Sequence, residues 1–547
     1  MSVAPRTSDP VLASDAIVIG AGFGGMYAVH RLRQAGFSVT GLEAGGDVGG
    51  TWYWNRYPGA RCDVISLDYS YAFSAEIEQS WTWSETFAAG SEILAYANFV
   101  ADQLDLRRSY VFEARVTAIA YDDTHRTWSV ETEGGQRYAA RYLVMATGPL
   151  SLPKPVDIPG ASQFKGELYR SSKWPHGPVA LAGKRVGLVG TGSTGIQITP
   201  VVAAEAAELH VFQRTPSFTL PMRNTALSPD YVAQLKAHMP GLRAAARTTF
   251  AGGVRPVSTR PLFSVSVEER TALMEDAWRH GALAFLGLFS DLLVNQAAND
   301  VVADFVRDKI SQVVHDPATA EALKPRGYPI FTRRPCLDTQ YYEAFNRPNV
   351  SLVDCLADPI TAITEMGIQT RDRHIDLDVI ILATGYDALT GPMLAIDIQG
   401  REGMRLSDKW AEGPRSYLAL LMAGFPNLFV IGGPNGPSIL ANYIRLDELN
   451  VDWMMDCIAH MQAHGLDTVE PTPAAEDGWV QTVSDLAERT LYVKADTWYT
   501  GANIPGKPRG FNVYAGGLNR YAELCASEAA SGYPGCSFEP ARTSVAG

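Results

Sequence analysis

The sequence is poor in cysteine, and its cysteines form no recognisable redox or metal motif. There are six in 547 residues, and none lies in a CxxC pair or at the spacing of zinc ligands. This pattern disfavours a disulfide framework and predicts scattered reduced thiols, as in a cytoplasmic protein. The six are Cys62, Cys336, Cys355, Cys457, Cys525 and Cys536.

The chain also lacks an excess of positive charge and any long hydrophobic run. Its formal net charge is −13, which disfavours a general nucleic-acid binder because such a protein needs a basic face. The longest apolar run, residues 282–289, is much shorter than the ~20 residues that span a bilayer. No apolar signal segment is evident near the first residue. We therefore expect no nucleic-acid partner and no membrane partner, and no obligate protein partner is evident.

The composition is that of a globular protein with a large core. Of the residues, 46% are hydrophobic and 19% are charged, which argues against a disordered, collagen-like or coiled-coil chain. At roughly 150 residues per domain, the length predicts three or four domains, or two large ones with insertions.

A glycine-rich turn near the start lies between a strand pattern and a helix pattern. Residues 16–19 have the pattern of a buried strand, 20–25 (GAGFGG) form the turn, and 38–43 form a second strand after the helix. In such a βαβ unit the glycines allow a tight turn and a close approach of a pyrophosphate to the helix N-terminus. Glu43 ends the second strand and would bind a ribose diol while repelling a 2′-phosphate. This unit therefore predicts FAD or NAD.

A second glycine turn follows the same pattern but ends in a cation. Residues 185–189 form a strand, 190–195 (GTGSTG) the turn, and a helix then leads to the strand at 209–212. Arg214 stands where Glu43 stood in the first unit, and a cation there pairs with a 2′-phosphate. The second unit therefore predicts a preference for NADP(H). Two such units in strand–turn–helix context are a strong signal, whereas one alone is weak.

The rest of the chain predicts how these units are divided. Helical patterns without glycine turns dominate residues 217–330, and we interpret them as an insertion in the second unit. Ala-Thr-Gly recurs after two buried strands, at 146–148 and 383–385, where the chain is expected to cross between domains. We predict an α/β fold with two Rossmann-like dinucleotide-binding domains: an FAD domain at 15–150 and 388–540, and an NADP domain at 151–216 and 331–387. The first ~14 residues and the stretch from 538 to 547 are expected to be loose.

The hydride that NADPH gives to the flavin must leave to some acceptor. A disulfide acceptor would need a redox CxxC pair, and the sequence has none. This excludes the thioredoxin-reductase type, whereas molecular oxygen requires no residue motif of that sort.

Two segments resemble signature sequences of the flavin-dependent Baeyer–Villiger monooxygenases. Residues 49–63 (GGTWYWNRYPGARCD) match the family's G-G-x-W-x-x-x-x-[YF]-P-x-x-x-x-D pattern in full. Residues 164–175 (FKGELYRSSKWP) match F-x-G-x-x-x-H-x-x-x-W-P except that an arginine replaces the histidine. The residues at the defined positions of this second signature are Phe164, Gly166, Arg170, Trp174 and Pro175.

The resemblance extends from residue 17 to about residue 538. It is closest to the phenylacetone and steroid monooxygenase branch, which residues 498–506 (WYTGANIPG) also resemble. The resemblance implies an FAD-containing enzyme that uses NADPH and O2 to oxidise a hydrophobic ketone to an ester or lactone. It implies noncovalent FAD and a flavin C4a-peroxide stabilised by an arginine.

The resemblance also implies roles for single residues. The family's active-site segment, commonly Gly-Thr-Lys-Arg, is Phe-Thr-Arg-Arg at 331–334. Arg334 would be the catalytic arginine, paired with Asp63, and Arg333 would replace the lysine that contacts the 2′-phosphate. Residues 433–442 resemble the segment beside the flavin and the substrate, where Ile439 and Leu440 suggest a hydrophobic ketone.

The expected cofactor contacts follow from both turns and from the resemblance. For FAD they are Gly20, Gly22, Gly25, Glu43, Thr51, Trp52, Asp63, Tyr69 and Val116. For NADP they are Gly190, Thr191, Gly192, Ser193, Thr194, Gly195, Gln197, Arg214, Thr215, Arg333 and Trp498. No metal site is expected.

Two alternatives stay open at the level of the sequence. An N- or S-oxygenating flavin monooxygenase shares both dinucleotide domains, although Arg334 and the segment 49–63 favour ketone oxidation. A degenerate flavoprotein with oxidase activity is the other alternative, because Arg170 replaces the histidine of the signature. An arginine is larger than histidine and always charged, so it could raise the loss of NADPH to hydrogen peroxide.

Overall fold

The computed structural model describes residues 11–254 and 257–542, which form two main sheets with helices packed on them. Strand Leu12–Ile19 leads through the first glycine turn into helix Phe23–Gln34, and strand Val39–Leu42 returns parallel to the first strand. Gly20 has φ +110°, and a Cβ there would lie 2.4 Å from the carbonyl oxygen of Ala146. Only glycine fits this turn without strain.

The first sheet has eight strands, which come from two separated regions of the chain. Six lie within residues 12–145, and the other two lie within residues 397–430. The chain therefore returns to this sheet after building the second one. The order is Asp397–Gln399, Val116–Asp122, Thr127–Thr132, Arg137–Met145, Leu12–Ile19, Val39–Leu42 and Tyr110–Val111, with Leu428–Val430 also paired to Arg137–Met145.

The second sheet has five strands, all parallel, and is built around the second glycine turn. Gly190 has φ +112°, and a Cβ there would lie 2.4 Å from the carbonyl oxygen of Ala383. The turn opens the helix Ser193–Glu205. The strand order is Val350–Asp354, Glu208–Gln213, Arg185–Val189, Val379–Leu382 and Glu167–Arg170.

The chain crosses between the two sheets twice, and the two crossing segments, 149–154 and 385–389, are hydrogen-bonded to each other. The Leu389 N–H donates to the Pro149 carbonyl over 2.9 Å, and the Lys154 N–H donates to the Gly385 carbonyl over 3.1 Å. Both crossings follow the Ala-Thr-Gly strand ends that the sequence indicated. The connection between the sheets is therefore double-stranded.

The predicted helical insertion is mostly helical, but it opens with a strand. Thr219–Pro221 pairs in parallel with Cys336–Asp338, and the paired Leu220 and Leu337 are buried in the same apolar core. At its other end, Ile310 packs into the core of the second sheet. The insertion's helices are Pro229–Arg247, Val267–His280, Gln296–Val313 and Pro317–Ala322, with 3₁₀ turns at Leu262–Ser264 and Ala282–Gly287.

The expectation of a loose tail from residue 538 was wrong at its start. Strand Cys536–Pro540 pairs antiparallel with Leu466–Pro471. This pairing with a distant strand supplies the backbone hydrogen bonds of a segment whose sequence has no strand pattern of its own. The expectation of a loose N-terminal segment was wrong at its end, because residues 12–14 belong to the strand Leu12–Ile19 and pair with residues 138–140. Residues 1–10 and 543–547 lie outside the described part of the chain. Other elements are the helices Ala75–Ser80, Gly90–Gln103, Tyr341–Ala344, Gly391–Leu394, Leu406–Lys409, Tyr443–Ala463, Pro473–Glu488 and Leu518–Ala530, and a three-stranded sheet of Ile360–Ile363, Gly367–Thr370 and His374–Asp376.

Among the described residues, no helix is long and apolar enough to cross a membrane. The six cysteines, all within the described ranges, are free thiols. No group of three metal-ligating side chains occurs in this part of the chain.

Candidate active site

An arginine and a carboxylate from distant parts of the chain meet between the two sheets. The Arg334 Nε–H donates to Asp63 over 2.7 Å, and an Nη2–H of the same guanidinium donates to the other carboxylate oxygen. A third donor, on Nη1, reaches the Ile439 carbonyl over 2.8 Å. The bidentate pair and the carbonyl hold the guanidinium plane in one orientation.

The pair keeps the guanidinium charged. Burial acts to lower the pKa of Arg334, but the attraction and hydrogen bonds of Asp63 outweigh it, so that this pKa lies above its ordinary value. Arg334 is therefore a fixed cation at every working pH.

Two cysteines flank this pair in sequence but form no reactive thiolate. Burial raises the pKa of Cys336 to about 11, and it raises the pKa of Cys62 further. Both thiols stay protonated near neutral pH, and a protonated thiol is a poor nucleophile. Disulfide chemistry at this site is therefore disfavoured.

The first glycine turn is shaped for a dinucleotide. A Cβ on Gly50 would lie 2.7 Å from Cα of Gly22, so two glycine backbones touch where a pyrophosphate would approach. Glu43 accepts the N–H groups of Ala21 and Gly45, at 2.7 and 2.6 Å, and burial raises its pKa. The Trp54 side chain also acts on this carboxylate as a hydrogen-bond donor, and a remaining lone pair is available to a ribose hydroxyl. These features fit FAD.

Other predicted FAD contacts surround this turn. The Trp52 Nε1–H donates to the Tyr69 hydroxyl over 3.2 Å, and the two rings meet edge to face. Thr51 is exposed at the start of the short helix Thr51–Trp54, and Val116 is buried at the start of its strand.

The second glycine turn leaves its phosphate-facing side open. Gly192 and Ser193 are exposed, and no atom lies within 4 Å of a Cβ built on Gly192. Thr191 donates its hydroxyl to the Thr215 carbonyl over 3.1 Å, which fixes the turn against the end of the neighbouring strand. Gly195 is required by packing, because its Cβ would lie 2.0 Å from the Gly190 carbonyl oxygen.

Arg333 is half-buried and incompletely satisfied. It lies over the Tyr328 ring at 4.2 Å and donates to the Asp496 carbonyl over 2.7 Å. Its buried Nε has no hydrogen-bond partner among the described residues. Burial lowers the pKa of Arg333; the nearby Tyr328 opposes this shift, and the positive charge of Arg214 adds to it. A cation held beside another cation, with an unused donor, suits an anionic ligand such as a 2′-phosphate.

Tyr57 links the first signature segment to the second glycine turn. Its hydroxyl donates to Gln197 Oε1 over 2.9 Å and accepts from the Thr194 hydroxyl at 3.5 Å. The Gln197 amide nitrogen donates to the Arg61 carbonyl. The side chain of Gln197, a predicted NADP contact, is thus occupied by protein partners. Tyr57 occupies the [YF] position of the first signature, but no pattern in the sequence indicates this contact with the second glycine turn.

An apolar cluster lies beside the Arg334 guanidinium. Ile439 is buried in it, and Leu440 and Trp498 pack against it half-buried. Trp498 meets Tyr499 edge to face at 4.5 Å. The other buried members are Ala388, Leu389, Ala487, Tyr492, Tyr499, Phe511 and Val513.

Most of the second signature forms the edge of the second sheet. A Cβ on Gly166 would lie 2.4 Å from the Asp378 carbonyl oxygen, and Trp174 is buried in the sheet's core. Arg170 ends the strand Glu167–Arg170 opposite Leu382. It is half-buried, and its side chain makes no hydrogen bond or ion pair within the described residues. Phe164 packs on the same sheet's other core, and Pro175 is half-buried after Trp174.

Fold and site together define a flavoprotein oxidoreductase with two dinucleotide-binding units facing an arginine–carboxylate pair. Residues 14–254 match the pyridine nucleotide-disulphide oxidoreductase family. A Baeyer–Villiger monooxygenase of Pseudooceanicola batsensis is 41% identical over 524 residues, 95% of each chain.

Solved structures agree with this relationship. An oxidized steroid monooxygenase bound to NADP is 44% identical, with a TM-score of 0.93 over 96% of this chain and 100% of its own. OTEMO in complex with FAD and NADP is 42% identical, with a TM-score of 0.92 over 96% and 99%. The chain belongs to the Baeyer–Villiger monooxygenase family. It is an FAD-containing, NADPH-dependent monooxygenase, which confirms the predicted fold class and cofactors.

Proposed function

We propose that the protein uses NADPH and O2 to oxidise a hydrophobic ketone to an ester or lactone. The observation that carries this proposal is the guanidinium of Arg334, fixed by Asp63 and directed beside the apolar cluster around Ile439. The cluster suits the hydrocarbon part of a ketone, and the cation suits its carbonyl oxygen.

We propose that the first glycine turn and Glu43 hold FAD, and that the second turn, Arg214 and Arg333 hold NADP(H). The proposed FAD domain comprises residues 15–150 and 388–540, and the proposed NADP domain comprises residues 151–216 and 331–387. The helical insertion is proposed at residues 217–330. When bound at the first turn, FAD would supply the redox chemistry that activates O2 with electrons from NADPH. Trp498 lies two residues from Asp496, whose carbonyl holds Arg333, which supports a place for both beside the nicotinamide cofactor.

Arg334 has donors left for the reaction. A guanidinium carries five N–H groups, and three of them are engaged by Asp63 and Ile439. The two that remain can stabilise negative charge on oxygen as the ketone carbonyl becomes tetrahedral. Asp63 and the Ile439 carbonyl orient the group and do not themselves need to contact the substrate.

The free thiols support a reducing compartment, and we propose that the enzyme works in the cytoplasm.

The experiment is NADPH consumption by the FAD-loaded protein over a panel of ketones, sulfides and amines, with ester, sulfoxide, N-oxide and hydrogen peroxide quantified together. Ester formed in proportion to NADPH supports the proposal. Oxygenation of sulfur or nitrogen without ester would favour the N- or S-oxygenating alternative. Peroxide as the sole product with every substrate would favour the degenerate flavoprotein.

A further inference from the structure

Three cations converge near the carboxyl edge of the second sheet. Arg214 directly follows the strand Glu208–Gln213. Lys154 is hydrogen-bonded through its backbone to Gly385, which follows the strand Val379–Leu382. These two strands lie on either side of Arg185–Val189, which runs into the second glycine turn. Lys154 and Arg214 therefore flank that turn, and Arg333 lies close enough to Arg214 for the two charges to act on each other.

The three cations repel one another. Burial lowers the pKa of Lys154, and the charge of Arg214 lowers it further, against the opposing pull of Asp387. Arg214 has the same effect on Arg333. Like charges held this close are costly unless an anion lies between them.

The acidic side chains nearby are already paired with other cations. Asp387 pairs with Lys507, and Asp496 pairs with Arg509. Within the described ranges, neither the Arg214 guanidinium nor the Lys154 ammonium makes a hydrogen bond or salt bridge, although Asp387 lies near enough to act on the charge of Lys154. The positive charge of the cluster is therefore not neutralised by the protein itself.

We propose that Lys154 is a third cationic contact for the 2′-phosphate of NADP(H), beside Arg214 and Arg333. This inference rests on the proposed place of NADP(H) at the second turn. A phosphate monoester carries about −1.5 to −2 charge at pH 7, which Arg214 and Arg333 can balance. The Lys154 ammonium adds three further N–H donors for the phosphate oxygens. Lys154 acts as a specificity residue for the cofactor and takes no part in the oxygen chemistry.

The pyrophosphate of the same cofactor is the competing anion. It is expected at the helix N-terminus beside Gly192 and Ser193, where backbone N–H groups face outward. A contact with pyrophosphate would serve NADP and NAD alike, whereas a contact with the 2′-phosphate would serve NADP alone. Comparing the binding of NADP with that of NAD therefore distinguishes a contact with the 2′-phosphate from one with the pyrophosphate.

The test measures binding without turnover. The FAD-loaded Lys154→Ala and Lys154→Gln proteins are titrated calorimetrically with NADP⁺ and NAD⁺, and with 2′,5′-ADP and 5′-AMP, which differ only in the 2′-phosphate. Losing one charge-assisted contact should weaken NADP⁺ and 2′,5′-ADP about 10-fold. Binding of NAD⁺ and 5′-AMP should stay unchanged, and Lys154→Arg should retain most of the affinity.

Lys184 provides the matched control. It directly precedes the strand Arg185–Val189, at the end of the sheet away from the second glycine turn. Its Nζ atom lies 3.6 Å from Oε1 of Glu167. Lys184→Ala should bind all four ligands as the parent does. Retained FAD content and an unchanged unfolding midpoint in every variant show that the comparison concerns folded protein.

Equal losses for NADP⁺ and NAD⁺ in the Lys154 variants would overturn the proposal in favour of the pyrophosphate. Unchanged NADP⁺ binding in both variants would overturn it as well. A failure of ketone oxidation would leave these binding results intact. A parent that binds NADP⁺ no more tightly than NAD⁺ would instead contradict the placement of the 2′-phosphate as a whole.

Discussion

At the scale of single residues, Arg334 is the group on which the proposed oxidation depends most. Arg334→Ala should keep the yellow colour of bound FAD and lose ester formation, because removing one such electrostatic stabiliser costs ~10²–10³ in rate. Arg334→Lys should also be poor, since one ammonium cannot reproduce the planar fork that Asp63 holds. Ester formation and flavin absorbance are measured on the same preparations.

The matched control is the same substitution at Arg347, an arginine that is exposed. Arg347→Ala should leave both the flavin content and the ester rate unchanged. An ester rate in Arg334→Ala within a few-fold of the parent would refute the proposed role.

Asp338 is expected to make stability depend on pH. Burial raises its pKa to about 7, even though it accepts backbone N–H groups of Tyr341 and Tyr342. In the unfolded chain this pKa is about 3.9. Between about pH 4 and pH 7 the folded carboxyl therefore keeps a proton that the unfolded one has released. The free energy of unfolding should fall across this window by up to about 4 kcal/mol, and stay low above it.

Asp338→Asn keeps an oxygen acceptor for the N–H groups but cannot ionise. Its unfolding midpoint should fall less than that of the parent between pH 4.5 and pH 7.5, as followed by circular dichroism. Asp308→Asn, at an exposed position, should behave as the parent does. If the unfolding midpoint depends on pH in the same way in Asp338→Asn and in the parent, Asp338 does not titrate in this range.

At the scale of elements, two glycines of the first turn have different roles: one is needed for FAD binding and the other for folding. Gly22 has φ −76°, and a Cβ on it would meet only Cα of Gly50, at 3.7 Å. Gly22→Ala should therefore fold normally while placing a methyl group where the pyrophosphate approaches. We expect a loss of FAD affinity on the order of 10-fold or more, or at least ~1.4 kcal/mol.

Gly20→Ala is the contrasting variant in the same turn. Its Cβ would lie 2.4 Å from a carbonyl oxygen at φ +110°, so the apoprotein itself should lose stability. Thermal unfolding of the apoproteins and FAD titration measure the two effects. Normal FAD binding by Gly22→Ala would argue against a pyrophosphate at this turn.

Arg170 belongs to the edge strand of the second sheet, at the end that faces the second turn. It should affect how NADP(H) is held, and thus the share of NADPH lost to hydrogen peroxide, because it lies on an element beside the cofactor site and outside the Arg334–Asp63 pair. Arg170→His should raise the ratio of ester formed to NADPH consumed without changing which ketones are accepted.

Lys173→Ala, in the same segment and exposed, is the control and should leave the ratio unchanged. A parent that forms no ester with any ketone, beside an active Arg170→His variant, would show that Arg170 is disabling. An unchanged ratio of ester to NADPH in Arg170→His would show that Arg170 does not affect how NADP(H) is held.

At the scale of the whole molecule, the two sheets are joined by the paired crossings and by Tyr57. Tyr57→Phe should keep FAD, weaken NADP⁺ binding, and lower the free energy of unfolding by about 0.5–1.5 kcal/mol, because the contacts with Gln197 and Thr194 are lost. Tyr231→Phe, at an exposed tyrosine, should change neither quantity. Calorimetric titration with NADP⁺ and thermal unfolding test both effects, and unchanged NADP⁺ affinity in Tyr57→Phe would contradict the link.

The sequence predicted those parts of the fold that local sterics impose. Both glycine turns, the strands that lead into them and the end residues Glu43 and Arg214 could be assigned, because a tight turn and a close helix–strand contact exclude any side chain. The strand at 219–221 and the final strand at 536–540 were missed. Neither has a local pattern, and each forms only because a distant strand is available to pair with it.

The sequence by itself thus determined the family, the two cofactors and the residue types at the site, since these follow from short motifs of contiguous residues. The tertiary structure alone decided which side chains meet. Asp63 and Arg334 are 271 residues apart, and Lys154 comes near Arg214 only because the two crossings between the sheets pair with each other. Electrostatic contacts depend on distance in space and carry no signal in local sequence, so residues such as Lys154 and Tyr57 become visible only when the sheets are assembled.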